Sequence, residues 1–376
     1  MNVLMTADTM GGVFTYALEL ALALGRHGAN VALATKGGFL SDDQWGQAHR
    51  VPGLEVFESA DRLEWMQDPW EDVARSSGWL LELARRLRPD VVHLNDYAHG
   101  ALPFEAPVLV VGHSCVCSWF AAVRRSAPPR SFDRYRLEVA RGLAGADLVV
   151  APTRWMLSEL DRHYGPLRRT CVIPNGRSPA QFRPGEKEDL VLCAGRPWDE
   201  AKNVAALDDV AGGLPWPVLV AGELEGPDRL RDGARLSILR HARPLGHLPP
   251  DALACFFARA GVYAMPARYE PFGLSVLEAA IAGCALVLGD IPSLREVWEG
   301  AALFVDPESP ELLRTVLAGL VDRPDVRAHL GSLSRARGLA LSPERMAVAY
   351  LDAYRMLVTE HRDAQGDEGG GSRRWL

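Results

Sequence analysis

The sequence predicts an α/β protein built from two successive doubly wound domains. Three observations predict it: short continuous runs of Val, Leu, Ile and Ala, an amphipathic stretch after most of them, and one breaker-rich interruption near mid-chain. Runs that are apolar throughout belong to strands covered on both faces, and their alternation with helices implies a parallel sheet. A chain of 376 residues also exceeds one ordinary hydrophobic core, so two domains are the expectation.

The first run, residues 2–7, is a buried strand, and Gly11 and Gly12 turn the chain into a helix over 13–27. Strands follow at 29–35, 54–57 and 91–94, the last after a helix over 71–87. Strands at 108–111, 148–151 and 171–173 complete a first domain over 1–175. The segment PNGRSPAQFRPGEKED carries three prolines and two glycines, so 176–189 reads as a linker. The alternation then restarts at 190–194, 218–221, 261–265, 285–288 and 303–305, within a second domain over 190–342. Residues 343–361 continue as a C-terminal helix expected to pack back on the first domain. The polar, Gly-rich stretch 362–376 is expected to be a disordered tail.

A net charge of −7 argues against a broad nucleic-acid surface, which needs a basic excess. No run approaches the roughly 18 apolar residues of a membrane span. The start, MNVLMTA, enters a strand without the features of a signal peptide, so a cytoplasmic location is expected. Cys171, Cys193, Cys255 and Cys284 sit singly in apolar runs, and Cys115 and Cys117 form a lone C-x-C without a second pair. Neither a metal site nor a disulfide is expected from that spacing.

Chemistry concentrates at strand ends. In MPARYEPFGLSVLEAAIAG, a loop carries Glu270 and Gly273 opens a helix on which Glu278 occupies the second turn. Backbone N–H groups of Gly273, Leu274 and Ser275, with the helix dipole behind them, form an anion site. An acid near a helix start also simply complements that dipole, so the two glutamates alone leave both readings open. In AGRPWDEAKN, Arg196 emerges from a strand end and Lys202 falls in the first turn of the next helix. Fixed cations there suit phosphate oxygens, with Arg as a fork and Lys as a point charge. Gly11 and Gly12 let the backbone approach a ligand closely, or serve merely as a tight turn. His113 and Asp96 each follow an apolar strand, and such edges bind ligands in doubly wound sheets. Asp can equally cap a helix there.

EPFGLSVLE matches the E-x₇-E motif of retaining glycosyltransferases with the two-domain GT-B fold, and the chain resembles glycosyltransferase family 4. VIPNGRSPAQFRP is similar to that family's linker, VLCAGRPWDEAKN to its donor-phosphate segment, and GDIPSLREVWEGAALFVDPESPELL to the segment after the E-x₇-E helix. The resemblance implies two Rossmann-like domains facing a cleft and transfer from a nucleotide diphosphate sugar with retention, of the hexosyltransferase kind. It assigns Glu278 to the donor ribose, Glu270 and His113 to the vicinity of the transferred sugar, and Arg196 and Lys202 to the diphosphate. It places Gly11 and Gly12 against the donor phosphate or the acceptor. The family spaces its Lys five residues after its Arg, whereas six separate them here, so the intervening chain must bulge. No cofactor and no metal are implied, provided Arg196, Lys202 and the helix N-terminus neutralise the leaving group.

The acceptor is less defined: a sugar, a lipid-linked sugar or another small molecule. Trp45, Trp65, Trp70 and Trp119 fall in or near loops of the first domain, where Trp stacks on sugars or anchors helices by burial. The stretch SWFAAVRRSAPPRSFDRYRLEVARG has six arginines against two acids. It reads as a solvated basic face, with contact to an anionic membrane surface the alternative. Rival functions on the same scaffold are a nucleotide-sugar epimerase or hydrolase and a non-catalytic nucleotide-sugar-binding relative. A nicotinamide-dependent dehydrogenase would need G-x-G-x-x-G, which DTMGGVFTY lacks.

Overall fold

A computed structural model describes residues 1–224 and 239–370, with side chains to residue 364. The chain divides into two compact units. The first comprises Met1–Ser118, Pro128–Gly176 and the stretch from Pro343 onward, and the second comprises Trp119–Ala127 and Arg177–Ser342.

Among the described residues the first unit holds seven parallel strands: β1 Asn2–Asp8, β2 Asn30–Lys36, β3 Glu55–Glu58, β4 Val91–Leu94, β5 Val108–Val111, β6 Leu148–Ala151 and β7 Thr170–Val172. Their spatial order is β3-β2-β1-β4-β5-β6-β7. Val3 pairs with Val31 on one side and Val91 on the other, so β1 is central and its apolar run is enclosed. The winding reverses between β1 and β4, and the crevice at the C-terminal ends of such a pair is where doubly wound sheets bind ligands.

Among the described residues the second unit holds six parallel strands: β8 Glu188–Ala194, β9 Val218–Ala221, β10 Arg243–Gly246, β11 Ala260–Met265, β12 Ala285–Gly289 and β13 Leu303–Val305, ordered β10-β9-β8-β11-β12-β13. Alternate residues feed two cores. Leu192, Tyr263 and Leu286 pack with Val276 and Leu277 on one face. Val191, Cys193, Val262 and Val287 pack with Leu207 and Leu317 on the other. Winding reverses here between β8 and β11.

Strand β10 has no counterpart in the sequence pattern, because Arg243 and Pro244 are exposed and carry no apolar signal. It pairs only at the sheet edge, where proline is tolerated. Asp208 orders the approach by accepting from the backbone N–H groups of Arg240, His241 and Ala242.

Three expected boundaries are corrected. Residues 176–189 do not form a free linker: Arg177 onward packs into the second unit, with Phe182 buried against Phe257. Trp119–Ala127, expected in the first domain, belongs to the second unit. The final helix runs Pro343–Gly370 rather than ending at 361, so the expected tail is helical in its first part, and 371–376 lie outside the described residues. That helix is held to the first unit by Tyr350 and Tyr354, both fully buried, and by Arg169 on Glu360 at 2.5 and 2.8 Å.

Candidate active site

In the second unit the switch point gathers most of the residues singled out by sequence. Arg196 follows β8 and lies against Asp199 Oδ2 at 3.1 Å, with its guanidinium 4.9 Å from the Trp198 ring centre. Lys202 is not in the first turn of an α-helix: it ends a 3-10 turn, Glu200–Lys202. Asn203 then takes a left-handed φ of 54° before the helix Val204–Ala211 begins. The Lys202 stem passes over Gly195, and its Nζ donates to Glu270 Oε2 at 2.6 Å. The loop bearing Glu270 is tied to the same turn, since Arg268 N–H donates to Ala201 O at 2.8 Å and Asn203 Nδ2 to Pro266 O at 2.9 Å.

Gly273 begins the helix Leu274–Ile281 with φ 87°. A Cβ there would stand 2.9 Å from Val276 Cγ2, so both conformation and space require glycine. Ser275 contributes its backbone N–H to the helix start, while its hydroxyl donates to Ala194 O at 3.1 Å and accepts from Tyr263 at 2.8 Å. Glu278 does not serve only the dipole. It is 8% exposed, and its Oε1 accepts from Arg177 Nε at 2.8 Å. Arg177, itself 6% exposed, also lies over Phe182.

Sequence reasoning missed Arg177 and Asp199. Arg177 sat in IPNGR, whose turn signal hid its side chain. Asp199 accepts from Arg196, from Ala201 N–H at 3.1 Å and from Trp119 Nε1 at 3.3 Å. An Asp followed by a helical turn was the signal available for it. Trp119 is thereby placed beside Arg196 rather than on the acceptor side of the first unit.

In the first unit, Gly11 takes φ 95° and precedes the helix Gly12–Arg26. Asp96 is enclosed: its carboxylate accepts from Thr6 Oγ1 at 2.9 Å and Lys36 Nζ at 2.9 Å, and pairs with His99. Despite burial, His99 and Lys36 hold its carboxyl well below the usual range. Glu64 caps the same turn by accepting from Tyr97 and Ala98 N–H. Burial and the neighbouring Asp96 push Glu64 up to about 7. His113 follows β5, is half-buried, and bonds Asn95 through Nε2 at 2.8 Å. His93, fully buried on β4, bonds Tyr354 through Nδ1 at 2.6 Å.

Burial lowers both His93 and His113 to about 3, against 6.5 unperturbed. His93 has no solvent contact. A base kept neutral in the fold but protonated when unfolded stabilises above 6.5, and that contribution is lost as pH falls toward 3. The slope is at most about 1.4 kcal/mol per pH unit for one group. Glu64 has the opposite sign between 4.5 and 7, since its raised carboxyl loses stability as pH rises. The variant comparison separates them: His93→Gln is expected to flatten the acid loss between pH 6.5 and 5 relative to wild type in denaturant titrations. Parallel pH curves would show that His93 does not carry it.

Part of the basic run is internally paired. Arg124 meets Glu200 at 2.7 Å, and Arg141 meets Glu138 at 2.8 Å. No described helix is long and apolar enough to cross a membrane. A dent of about 100 Å³ between Gly25 and Leu54 lies at the N-terminal ends of the first-unit strands and has no ionisable lining residue, so it is not the site.

Known proteins give these features a context. The family description Glycosyltransferase Family 4 matches residues 10–181, and Glycosyl transferases group 1 matches residues 176–337. A D-inositol 3-phosphate glycosyltransferase of Xylanimonas cellulosilytica is 29% identical, over 94% of each chain. A glycogen synthase of Mycobacterium tuberculosis is 31% identical over 56% of this chain and 55% of its own. Among solved structures, sucrose-phosphate synthase from Thermosynechococcus elongatus superposes with a TM-score of 0.81 at 19% identity, over 96% of this chain and all of that one. Anabaena HepE in complex with UDP-glucose gives 0.73 at 17% identity, over 95% of this chain and all of its own. At such identities the structures speak for the fold, two Rossmann-like domains of the GT-B type.

Proposed function

This chain is a glycosyltransferase of family 4, and we propose that it moves a sugar from a nucleoside diphosphate to an acceptor hydroxyl with retention of configuration and without a metal. One observation carries the reading. At the switch point of the second unit, Arg196, Lys202, Glu270 and the helix start at Gly273 converge on one sheet edge, with Glu278 held by Arg177 on the same helix.

Breaking the bond between sugar and diphosphate leaves negative charge on the departing oxygen. Arg196, Lys202 and the N–H groups of Gly273, Leu274 and Ser275 supply positive charge for it, which lowers the barrier where that charge develops. The departing oxygen then takes the proton of the acceptor hydroxyl as the new glycosidic bond forms on the same face. Glu278 binds the ribose hydroxyls, Glu270 steers Lys202 and faces the sugar, and His113 meets a sugar hydroxyl. Asp96, enclosed by Thr6, Lys36 and His99, braces that unit's strand ends rather than meeting an acceptor. The enzyme works in the cytoplasm in this reading, where nucleotide sugars are made.

Thermal-shift titration with UDP, GDP, ADP and TDP and their sugars tests the donor site, because a ligand bound only by the native state raises the melting temperature. Glu278→Ala is expected to weaken the productive nucleotide about 10- to 100-fold, the loss of hydrogen bonds to a charged group. Wild-type affinity in that variant, or no shift with any nucleotide, defeats the assignment. Turnover that persists in EDTA supports the absence of a metal, and turnover abolished by it argues against that part.

A further inference from the structure

Asn95 follows β4 at the switch point of the first unit, and contacts with Thr6 turn its amide one way. Its Nδ2 donates to the Thr6 carbonyl at 2.6 Å, and its backbone N–H donates to Thr6 Oγ1 at 2.8 Å. A carbonyl oxygen only accepts, so the amide nitrogen faces Thr6 and the amide oxygen faces the other way. Two imidazole nitrogens stand on that other side: His113 Nε2 at 2.8 Å and His93 Nε2 at 3.3 Å. An amide oxygen also only accepts, so the bond at 2.8 Å requires hydrogen on His113 Nε2, while His93 Nε2, which also stands 3.4 Å from the Tyr16 hydroxyl, serves the same acceptor when it carries hydrogen. On its far side His93 Nδ1 stands 2.6 Å from the Tyr354 hydroxyl, which can donate to the bare nitrogen that the Nε2–H tautomer leaves.

We propose that Asn95 is a positioning residue for glycosyl transfer, locking His113 in the Nε2–H tautomer and leaving its Nδ1 as a bare acceptor for a substrate hydroxyl. The substrate part rests on the reading of His113 given above; the tautomer does not. A lone pair at Nδ1 accepts from a sugar hydroxyl but repels a phosphate oxygen, so His113 selects for hydroxyl and against diphosphate. Tyr16 packs edge-on to the ring, with centres 4.6 Å apart, and fixes its plane. Among the described residues the ring makes no second hydrogen bond, and it is only half-buried. Thr6 donates in turn to Asp96, so the orientation of the amide is anchored in the buried Lys36–Asp96 pair.

Long-range proton–nitrogen spectra of the full chain labelled with ¹⁵N-histidine test this directly, with His113→Gln and His93→Gln assigning the signals. Wild type should show both rings neutral and protonated at Nε2 at pH 7. Asn95→Leu, which keeps bulk but removes the amide, should convert His113 to a tautomer mixture. The same variant should lower kcat at least about 10-fold, since a wrong imidazole tautomer can cost far more. Its nucleotide-induced thermal shift should stay within about 2-fold of wild type in apparent affinity, because that site lies in the second unit. Asn95→Asp should bring His113 protonation into the range near neutrality and add an acid limb to the pH profile of kcat. Hydrogen on Nδ1 of His113 in wild type, or an unchanged spectrum in Asn95→Leu, overturns the proposal. The wild-type spectrum decides even if a variant fails to fold. Confirmed tautomers with unaltered turnover in His113→Gln would overturn the substrate role of His113 alone.

Discussion

Arg196→Ala is expected to lower kcat about 10²-fold with little change in KM for the donor, the scale seen when one preorganised donor to a developing charge is lost. The expectation follows from where the charge appears. The ground-state diphosphate already bears its ionised oxygens, and cleavage adds more charge at the bridging oxygen alone. A guanidinium aimed there gains most in the transition state. Arg196 is partly exposed and rests on Trp198, and its partner Asp199, 10% exposed, keeps the N–H groups of Ala201 and Trp119 when the guanidinium is lost. Lys202 is different. Its ammonium meets Glu270 in a mostly covered place, 16% and 13% exposed. Lys202→Gln therefore combines a kinetic loss with a repositioned Glu270. The double variant should fall further, by about 10³-fold, but by less than the product of the single losses if both cations grip one diphosphate. Steady-state kinetics with saturating acceptor decide the matter. A raised KM at unchanged kcat would mean that Arg196 only binds the donor uniformly, and the leaving-group role would fall.

The fold was legible in the sequence because its signal is repeated and collective. Among the described residues thirteen strands belong to the two sheets, and most are runs such as VLVV or LVLCA whose continuity states their burial. β10 escaped because an edge strand needs no apolar face, and Arg243-Pro244 shows none. The candidate site was legible where a residue type serves a backbone need, as at Gly273, or where charge sits at a strand end, as at Arg196. It was illegible where function depends on which side chains meet. Nothing in IPNGR says that Arg177 turns inward onto a glutamate 101 positions later. Nothing in VVHLND says that Asn95 bridges two histidines while Asp96 is consumed by Lys36 and His99. Long-range pairing leaves no local pattern, so buried polar networks are the part of a site that only coordinates reveal.

The Arg177–Glu278 pair yields the largest expected effect on stability. Its side chains are 7% and 10% exposed, with Nε and Oε1 at 2.8 Å. Removing one partner of such a pair costs about 3–5 kcal/mol, because the remaining charge keeps its desolvation cost without its attraction. Arg177→Met retains most of the stem that lies over Phe182 and removes the charge, so the loss reports the guanidinium's polar contacts, to Glu278 and to Gln181 Oε1 among them, rather than packing. Glu278 then loses the guanidinium that holds its Oε1 at 2.8 Å, and the looser carboxylate grips ribose hydroxyls less well. Adding Glu278→Gln to Arg177→Met removes the stranded charge and should recover part of the loss, with a coupling energy of about 1–3 kcal/mol. Amide exchange across Leu274–Ile281 reads this locally, which matters because a two-unit chain need not unfold in one step. In Arg177→Met, exchange should accelerate in that helix while β1 and β4 keep their protection. The double variant should lie between it and wild type. Additive losses would mean that the two charges do not sense each other, and that Glu278 does not owe its position to Arg177.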